Sequence, residues 1–263
     1  MSAMNAKRPL RLILAVFCLT CWIPASQGGD WRAQGPRALI VTYRVAPAHR
    51  IAFRAAVHAT TLPRLERLRK AGELESYHVL ASRYVDSASW DLMLILDFHN
   101  SAALARWRRV EAQTPAGLAP QALRLVSAVE TVPADRMLGR AVSSRPGDPA
   151  PVYLVVPYEY FVSEDEYLTY AAGYVVPQVN GWMDAGALDS YELYLPRYPA
   201  GRDWSALLVL AYRGDAGLAR RDAVVKAVRA RLAATAPQWK AFAQRKQKLR
   251  TEKQAVIADE VLP

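Results

Sequence analysis

An internal duplication constrains the fold of this chain more than any other feature of its sequence. Residues 71–106 align without a gap on residues 185–220, a shift of 114, and 14 of the 36 aligned positions are identical. The identical positions include aromatic and basic pairs, namely Tyr77/Tyr191, Arg83/Arg197, Tyr84/Tyr198 and Trp90/Trp204. Self-similarity at a fixed spacing indicates that one structural unit occurs twice.

The repeat extends beyond this window. Upstream, Pro63 falls on Pro177 and Val41 falls on Val155 at the same shift. Downstream the shift grows by ten residues, so that residues 132–138 fall on residues 256–262. A segment rich in Ser, Pro and Gly separates the halves and is typical of a linker. We therefore expect a leader at 1–27, a first repeat at 38–140, a linker at 141–151 and a second repeat at 152–263.

Hydrophobic periodicity predicts the same order of elements in both halves. In the first half it predicts strands at 38–46, 74–84, 90–99 and 130–138, with helices at 49–70 and 101–111. In the second half it predicts strands at 152–160, 188–198, 204–213 and 255–262, with helices from Ser163, at 215–235 and at 237–253. Gly72 is expected to end the first helix, and Ser163 with Glu166 fits a capping box.

The order β-α-β-β-α-β is that of the ferredoxin-like unit, which carries helices on one face of an antiparallel sheet. The sequence thus predicts an α+β fold of two tandem ferredoxin-like repeats, whose bare sheet faces cover each other. In this order and duplication the chain resembles the dimeric α/β-barrel superfamily in a fused, tandem form. The second half is also similar to small exported bacterial members without an assigned role. The resemblance implies a core between the sheets, which some members use as an active site or haem pocket.

The first thirty residues have the pattern of a secretory signal peptide. Lys7, Arg8 and Arg11 precede the apolar run at 12–23, and small residues follow it. We expect cleavage after Ala25 or near Gln27, and export to the periplasm or the medium. The alternatives are a retained membrane anchor and lipidation at Cys21.

Both cysteines of the chain, Cys18 and Cys21, lie in this leader. The mature protein would therefore have no disulfide, no cysteine metal ligand and no thiol nucleophile. No later segment is apolar enough to span a membrane.

The net charge is +10, and cleavage of the leader would reduce it to +7. Such a charge favours a solvated surface or anionic partners. No basic motif interleaved with aromatic residues appears, and nucleic acid is not expected as a partner.

Candidate site residues come from the more polar rows of the predicted central strands. If these rows face between the sheets, His78, Asp97 and His99 share a cavity, with a histidine as general base and Asp97 orienting it. The candidates for ligand binding in the second half are Tyr158, Glu192, Tyr194 and Arg213. The alternative is that all these residues are structural or solvated. No metal site is predicted, no cofactor is identified, and no phosphate loop or zinc-protease motif is present.

The tyrosines are distributed unevenly, since ten of the 13 lie between Tyr153 and Tyr212. They favour either a wide core or a pocket for a small aromatic or apolar ligand. The last helix carries many basic residues, which indicate a solvated face or, as an alternative, a membrane-surface contact.

The residues that both halves share are expected to be structural, through cross-strand packing and arginine stacking. They are Tyr77, Arg83, Tyr84 and Trp90 in the first half and Tyr191, Arg197, Tyr198 and Trp204 in the second.

The sequence thus favours an exported module that binds a small ligand or a partner. One alternative is a dimeric α/β-barrel enzyme, monooxygenase-like or haem-handling, with its site between the sheets. Another is a structural envelope protein that forms a homo-oligomer, and a homodimer is compatible with each of these functions.

Overall fold

The computed structural model describes residues 35–143, 145 and 147–262, so the expected leader with Cys18 and Cys21 lies outside the described residues. The strands are β1 (Ala38–Val45), β2 (Ser76–Ser82), β3 (Leu92–Asp97), β4 (Val126–Ala141), β5 (Val152–Tyr160), β6 (Leu188–Pro196), β7 (Ala206–Tyr212), β8 (Arg250–Glu252) and β9 (Val256–Glu260). The α-helices are α1 (Arg50–Ala56), α2 (Leu62–Lys70), α3 (Ser101–Arg106), α4 (Arg108–Gln113), α5 (Pro120–Leu123), α6 (Glu164–Tyr170), α7 (Val176–Asp184), α8 (Gly214–Ala219), α9 (Arg221–Thr235) and α10 (Pro237–Leu249).

Eight strands close into one antiparallel barrel. Their order is β7-β6-β4-β1-β3-β2-β9-β5, and pairing of β5 with β7 completes the circle. The short β8 adds to β5 beyond the barrel. Closure leaves none of the eight strands with an unpaired edge. The fold is therefore α+β and is built on a closed barrel.

The first half of the described chain (38–141) contributes the neighbours β4-β1-β3-β2, and the second half (152–260) contributes β9-β5-β7-β6. The halves meet at two seams, β4 with β6 and β9 with β2. β4 has 16 residues and is longer than expected, because its first part, up to residue 134, pairs with β1 and its second part, from residue 134 onward, pairs with β6.

The seams contain two matching ion pairs that sequence analysis did not anticipate. Arg83 pairs with Asp259 at 2.6 Å, and Arg197 pairs with Asp135 at 3.0 Å. The backbone repeats the match, since the Arg83 N–H donates to Ile257 O at 2.9 Å and the Arg197 N–H donates to Pro133 O at 2.8 Å. Each repeated arginine therefore ties its own half to the last strand of the other half.

The repeated tyrosines differ in their surroundings. Tyr77 packs against the core beneath the helices of the first half, and Tyr191 is buried in the corresponding core of the second half. The expectation of a packed structural role is wrong for Tyr84 and Tyr198, which are 63% and 67% exposed. The reason is that β2 ends at Ser82 and β6 at Pro196, so both tyrosines lie two residues past the paired strands, where cross-strand packing stops.

Each half has an irregular helix at its repeated proline. Five-residue π-helical segments, 57–61 and 171–175, immediately precede α2 and α7, which have Pro63 and Pro177 in their first turns. Proline has no N–H and its ring clashes with the carbonyl four residues earlier, so a wider turn relieves the conflict. After these helices, Gly72 and Gly186 adopt φ of +71° and +67°, and Gly72 ends its helix as expected.

The alternating rows of β2 and β3 pack as the pattern predicts, and the tryptophans that precede β3 and β7 do not. Val79, Leu92 and Leu94 face the helices, whereas Leu80, Met93 and Ile95 fill the barrel. Trp90 and Trp204 were expected in the helix-facing rows and instead pack against the barrel interior. The reason is that β3 begins at Leu92 and β7 at Ala206, so strand alternation does not extend to either tryptophan.

The expected match of Val41 with Val155 is wrong by one residue. The register places Ala38 opposite Asp97 and Tyr153 opposite Ala211, so the shift in the first strand of each half is 115. Val41 packs under the helices, whereas Val155 lies inside the barrel. A one-residue offset moves every side chain of a strand to the other face of the sheet, so Val41 and Val155 are not structurally equivalent.

Candidate functional site

One end of the barrel opens into a cavity of about 670 Å³, which we call the end pocket. Its floor is formed by Met93 and Leu207, below which Ile40, Val155 and Val209 fill the middle of the barrel. Its walls come from the ends of β1 and β5, from residues 128–130 and 253–254, and from the loops before β3 and β7. The contributions from the two halves correspond closely.

Trp90 and Trp204 give the end pocket its aromatic surface. Each precedes a strand and sits where its loop returns to the barrel, and Trp204 is 9% exposed while Trp90 is half-buried. In the described part of the chain, neither indole N–H has a hydrogen-bond partner within the protein. Both are free to donate to a ligand in the end pocket.

Most charges around the end pocket neutralise each other. Arg202 donates to Glu130 at 2.8 Å, and Lys253 lies 2.6 Å from Glu159. Arg44 and Asp203 also line the pocket, and neither has an ion-pair partner among the described residues. A guanidinium and two indole N–H groups are thus available to donate hydrogen bonds to the acidic or carbonyl oxygens of a ligand.

The opposite end of the barrel is filled by a polar cluster, which we define as His78, Asp97, Arg136, Tyr153, Glu192, Tyr194 and Glu260. His78 Nδ1 lies 2.8 Å from Glu260 Oε1, and the Tyr153 hydroxyl donates to Glu260 Oε2 at 2.9 Å. The apolar middle of the barrel separates this cluster from the end pocket.

Asp97 and Glu192 are bridged twice. Arg136 Nη1 donates to Asp97 Oδ2 at 3.2 Å and to Glu192 Oε1 at 3.1 Å. The Tyr194 hydroxyl lies 3.1 Å from both Asp97 Oδ2 and Glu192 Oε2. A phenol has one proton and donates one full hydrogen bond, so the second contact is satisfied best when one carboxyl is protonated.

The pKa values of the polar cluster follow from burial and mutual charge. Burial lowers the pKa of His78, but the carboxylates of Glu260 and Glu192 outweigh it and the net shift is upward. Burial raises the pKa of Asp97 against the opposing effect of Arg136. Burial also raises the pKa of Tyr153 above its ordinary value. The cluster therefore favours a protonated His78, neutral phenols and a carboxyl that holds its proton more tightly than usual.

The structure brings together four of the residues predicted from the sequence, namely His78, Asp97, Glu192 and Tyr194. His99 is exposed after β3 and does not join them. Arg213 pairs with Asp189 at 2.7 Å, apart from the polar cluster. Tyr158 lies in the core between the second half's strands and helices, where Arg250 covers its ring at 3.6 Å.

Sequence reasoning missed Arg136, Tyr153 and Glu260. All three lie in the first or last strand of a half, whose alternating rows were not assigned to faces. Alternation along residues 132–136 and 256–260 would have placed Arg136 and Glu260 in the barrel row. For the tryptophans of the end pocket, the repeat in the sequence predicts a structural role and not a binding one.

The clustered tyrosines of the second half form a packed core. Ring centroids lie 4.5 Å apart for Tyr160 and Tyr167, 5.1 Å for Tyr170 and Tyr174, and 5.2 Å for Tyr174 and Trp239. The remaining void beside them is about 50 Å³. It is too small for a drug-sized ligand, which needs roughly 300 Å³ or more.

Comparison with solved structures supports the fold. The alignment with a "putative monooxygenase" from Lactobacillus acidophilus NCFM covers 86% of this chain and 94% of that chain, with 11% identity and a TM-score of 0.55. The alignment with a "putative monooxygenase" from Fusobacterium nucleatum covers 87% of this chain and 94% of that chain, with 10% identity and a TM-score of 0.52. The alignment with an anthrone oxidase-like protein covers 87% of this chain and 92% of that chain, with 12% identity and a TM-score of 0.53. No protein-family model and no curated protein matches the sequence.

The closed antiparallel barrel and these neighbours place the structure in the dimeric α/β-barrel class. At identities near 11% the likeness concerns the fold alone. The expected resemblance is confirmed at that level.

Proposed function

We propose that this protein binds a small molecule in the end pocket, with a planar apolar body between Trp90 and Trp204 and an acidic group near Arg44. The observation that carries the proposal is an open cavity of about 670 Å³ in which both indole N–H groups and one guanidinium lack protein partners in the described residues. Its size lies within the usual range for small-molecule sites. A planar aromatic carboxylate or sulfonate matches this surface.

We further infer that the two halves are tandem ferredoxin-like repeats. Support comes from their equivalent strand orders, β4-β1-β3-β2 and β9-β5-β7-β6, and from the matching Arg–Asp pairs at the seams. The π-helical segments, 114 residues apart, support it as well. On this view one chain supplies both partners of the barrel.

Export is part of the same proposal. It rests on the basic start, apolar run and small-residue exit of residues 1–27. The N-terminal sequence of protein recovered from its host would establish where the leader is cleaved, and native mass spectrometry would give the oligomeric state.

The binding proposal is tested with 8-anilinonaphthalene-1-sulfonate, a planar apolar probe with one anionic group. We expect saturable fluorescence enhancement, weakened about tenfold or more in Trp90→Leu, as for a central aromatic contact. Arg44→Gln should weaken binding of the probe less, because it removes only the contact with the sulfonate. Arg109→Gln, at another exposed arginine, is the matched control and should bind as the unaltered protein does. Equal affinity in all four proteins would refute the end pocket as the site.

A second candidate function is an enzyme that uses the polar cluster. His78, Tyr153 and Glu260 are titratable groups connected by hydrogen bonds, and His78 is partly exposed at its end of the barrel. Two of the neighbours are named putative monooxygenases and one an anthrone oxidase-like protein, and these names motivate a test with anthrone. The test is oxygen consumption with anthrone as probe, which should be lost in His78→Gln and retained in His99→Gln.

A haem does not fit the end pocket. Haem iron is held by an axial His, Cys, Met or Tyr. Met93 is the one side chain of these types that lines the pocket, and methionine ligates haem together with histidine, which the lining lacks. The polar cluster has His78, but Glu260 engages it and side chains fill that end of the barrel.

A further inference from the structure

The positive charge of the chain is concentrated in one segment. Between Arg220 and Lys253 there are eleven Lys and Arg residues and two acidic residues, an excess of nine, while the whole chain has a net charge of +10. The segment consists mainly of α9 and α10, which pack against each other and which we call the basic hairpin. The remainder of the chain is close to neutral.

The apolar side chains of the basic hairpin are used to attach it to the protein. Val228 packs where a side chain at Gly181 of α7 would stand, and the Trp239 ring stacks on Tyr174 at 5.2 Å. Phe242 contacts Tyr170 edge to face at 5.8 Å. With its apolar stripe turned inward, the hairpin presents its charges to solvent.

Five of these cations have neither an ion-pair partner nor a side-chain hydrogen bond among the described residues: Lys226, Arg231, Lys240, Lys246 and Lys248. On α10, Arg245 is the one cation within ion-pair distance of a described acid, at 3.6 Å from Glu166. The cations are spread over two helices, with Ala and Gln between them, and do not converge on one point. This arrangement suits a broad anionic surface better than a single phosphate.

An exposed aromatic residue adjoins the end of the hairpin. Phe161 is 57% exposed, and its N–H donates to the carbonyl of Leu249, the last residue of α10, at 2.9 Å. An exposed aromatic beside lysines is typical of proteins that lie on a membrane surface. Trp239 is buried, so the hairpin offers no indole on which nucleic-acid bases would stack.

We propose that the basic hairpin, together with Phe161, docks this protein onto the surface of an anionic lipid bilayer. The cations lie over the headgroups, and Phe161 reaches the boundary with the acyl chains. In the described part of the chain, no helix has the length and apolarity to cross a bilayer, and this docking needs none. Each cation near such a surface strengthens partitioning about fivefold, and salt weakens it.

The test is co-sedimentation of the full chain with vesicles of phosphatidylcholine and phosphatidylglycerol (7:3), against pure phosphatidylcholine. The triple variant Lys240→Gln, Lys246→Gln, Lys248→Gln should partition about a hundredfold more weakly than the unaltered protein. The matched control changes three exposed arginines of the first half to Gln, namely Arg106, Arg108 and Arg109, and should retain most of the binding. Circular dichroism verifies that both variants are folded.

Comparison of the unaltered protein with these variants separates the contribution of the basic hairpin to vesicle binding from that of the leader and of net charge. The apolar leader segment is common to all of them, so binding through it appears equally in both vesicle types and in every variant. Equal losses of vesicle binding in the two triple variants would mean that binding depends on net charge and not on the basic hairpin, and would overturn the proposal. Binding to a DNA duplex but not to anionic vesicles would overturn it as well. Phe161→Ser should lower partitioning about tenfold, since it removes apolar area that is buried in the bilayer, without changing the salt dependence.

Discussion

The two matching ion pairs at the seams allow a comparison between a buried pair and an exposed one. The side chains of Arg197 and Asp135 are 8% and 2% exposed. Those of Arg83 and Asp259 are 23% and 49% exposed, and the second partner of Arg83, Asp215, is more exposed still. The perturbation is Arg197→Leu in one variant and Arg83→Leu in the other.

Arg197→Leu leaves the buried carboxylate of Asp135 without its cation, which costs about 3–5 kcal/mol. Arg83→Leu breaks exposed pairs, each of which contributes about 0–1 kcal/mol. The two variants should therefore differ by about 1–5 kcal/mol. For a chain of this size the melting temperatures should differ by roughly 2–4 °C for each kcal/mol of that difference.

The loss in Arg197→Leu should also depend on pH. Burial raises the pKa of Asp135 above its ordinary value even though Arg197 lowers it. An acid whose folded pKa exceeds its unfolded value, about 3.9, costs stability as pH rises through that range. Removing Arg197 raises the folded pKa further, so the loss should be larger at pH 7.5 than at pH 4.5.

Urea denaturation at both pH values, followed by circular dichroism, measures these differences. Adding Asp135→Asn to Arg197→Leu should recover part of the stability at pH 7.5, since the unpaired charge is gone. The reasoning is refuted if the two arginine variants lose equal stability, or if the Arg197→Leu loss neither changes with pH nor responds to Asp135→Asn.

Two further predictions concern the polar cluster and helix packing. His78 has a raised pKa, so the stability gained from its protonated form should be complete below about pH 6.5 and lost as pH rises through the folded value. Urea denaturation at pH 5.5 and 8.5 should show this dependence weakened in His78→Gln, and an undiminished dependence would contradict it. Gly217→Ala would place a Cβ atom 2.6 Å from the Ala187 carbonyl oxygen and should cost about 1–3 kcal/mol in the same assay. Unchanged stability of Gly217→Ala would contradict this prediction and would show that the backbone at Ala187 moves without cost.

Local patterns in the sequence predicted individual elements well. β5 spans the predicted residues 152–160, and the Ser163 hydroxyl accepts a hydrogen bond from the Glu166 N–H, one of the two bonds of the predicted capping box. The strands β2 and β3 are shorter than predicted because the loop between them includes residues 83–91. Periodicity reports which residues alternate, and it does not report where pairing stops. Tyr198 shows the consequence, since it continues the alternation of β6 and yet lies on the surface beyond the last paired residue.

Long-range pairing was beyond local patterns. The closed barrel depends on β4 reaching β6 and on β9 reaching β2, contacts between residues far apart in the chain. The same limit applies to the candidate site. His78 and Asp97 were found in strands whose rows had been assigned, whereas Glu260 belongs to a strand 182 residues from His78. The end pocket depends on loop geometry, which alternation does not describe.

The polar cluster explains how the two halves select each other. His78 and Glu192 occupy equivalent positions at a shift of 114, and Arg136 and Glu260 do so at a shift of 124. Across the seams His78 meets Glu260, and Glu192 meets Arg136, so each contact joins a basic side chain to an acidic one. If the first half paired with a copy of itself, His78 would face Arg136, and in the second half Glu192 would face Glu260. Both alternatives bring two basic or two acidic side chains together in a largely buried site, which is costly. The divergence of these four residues therefore disfavours pairing between identical halves and favours a barrel closed by the two halves together.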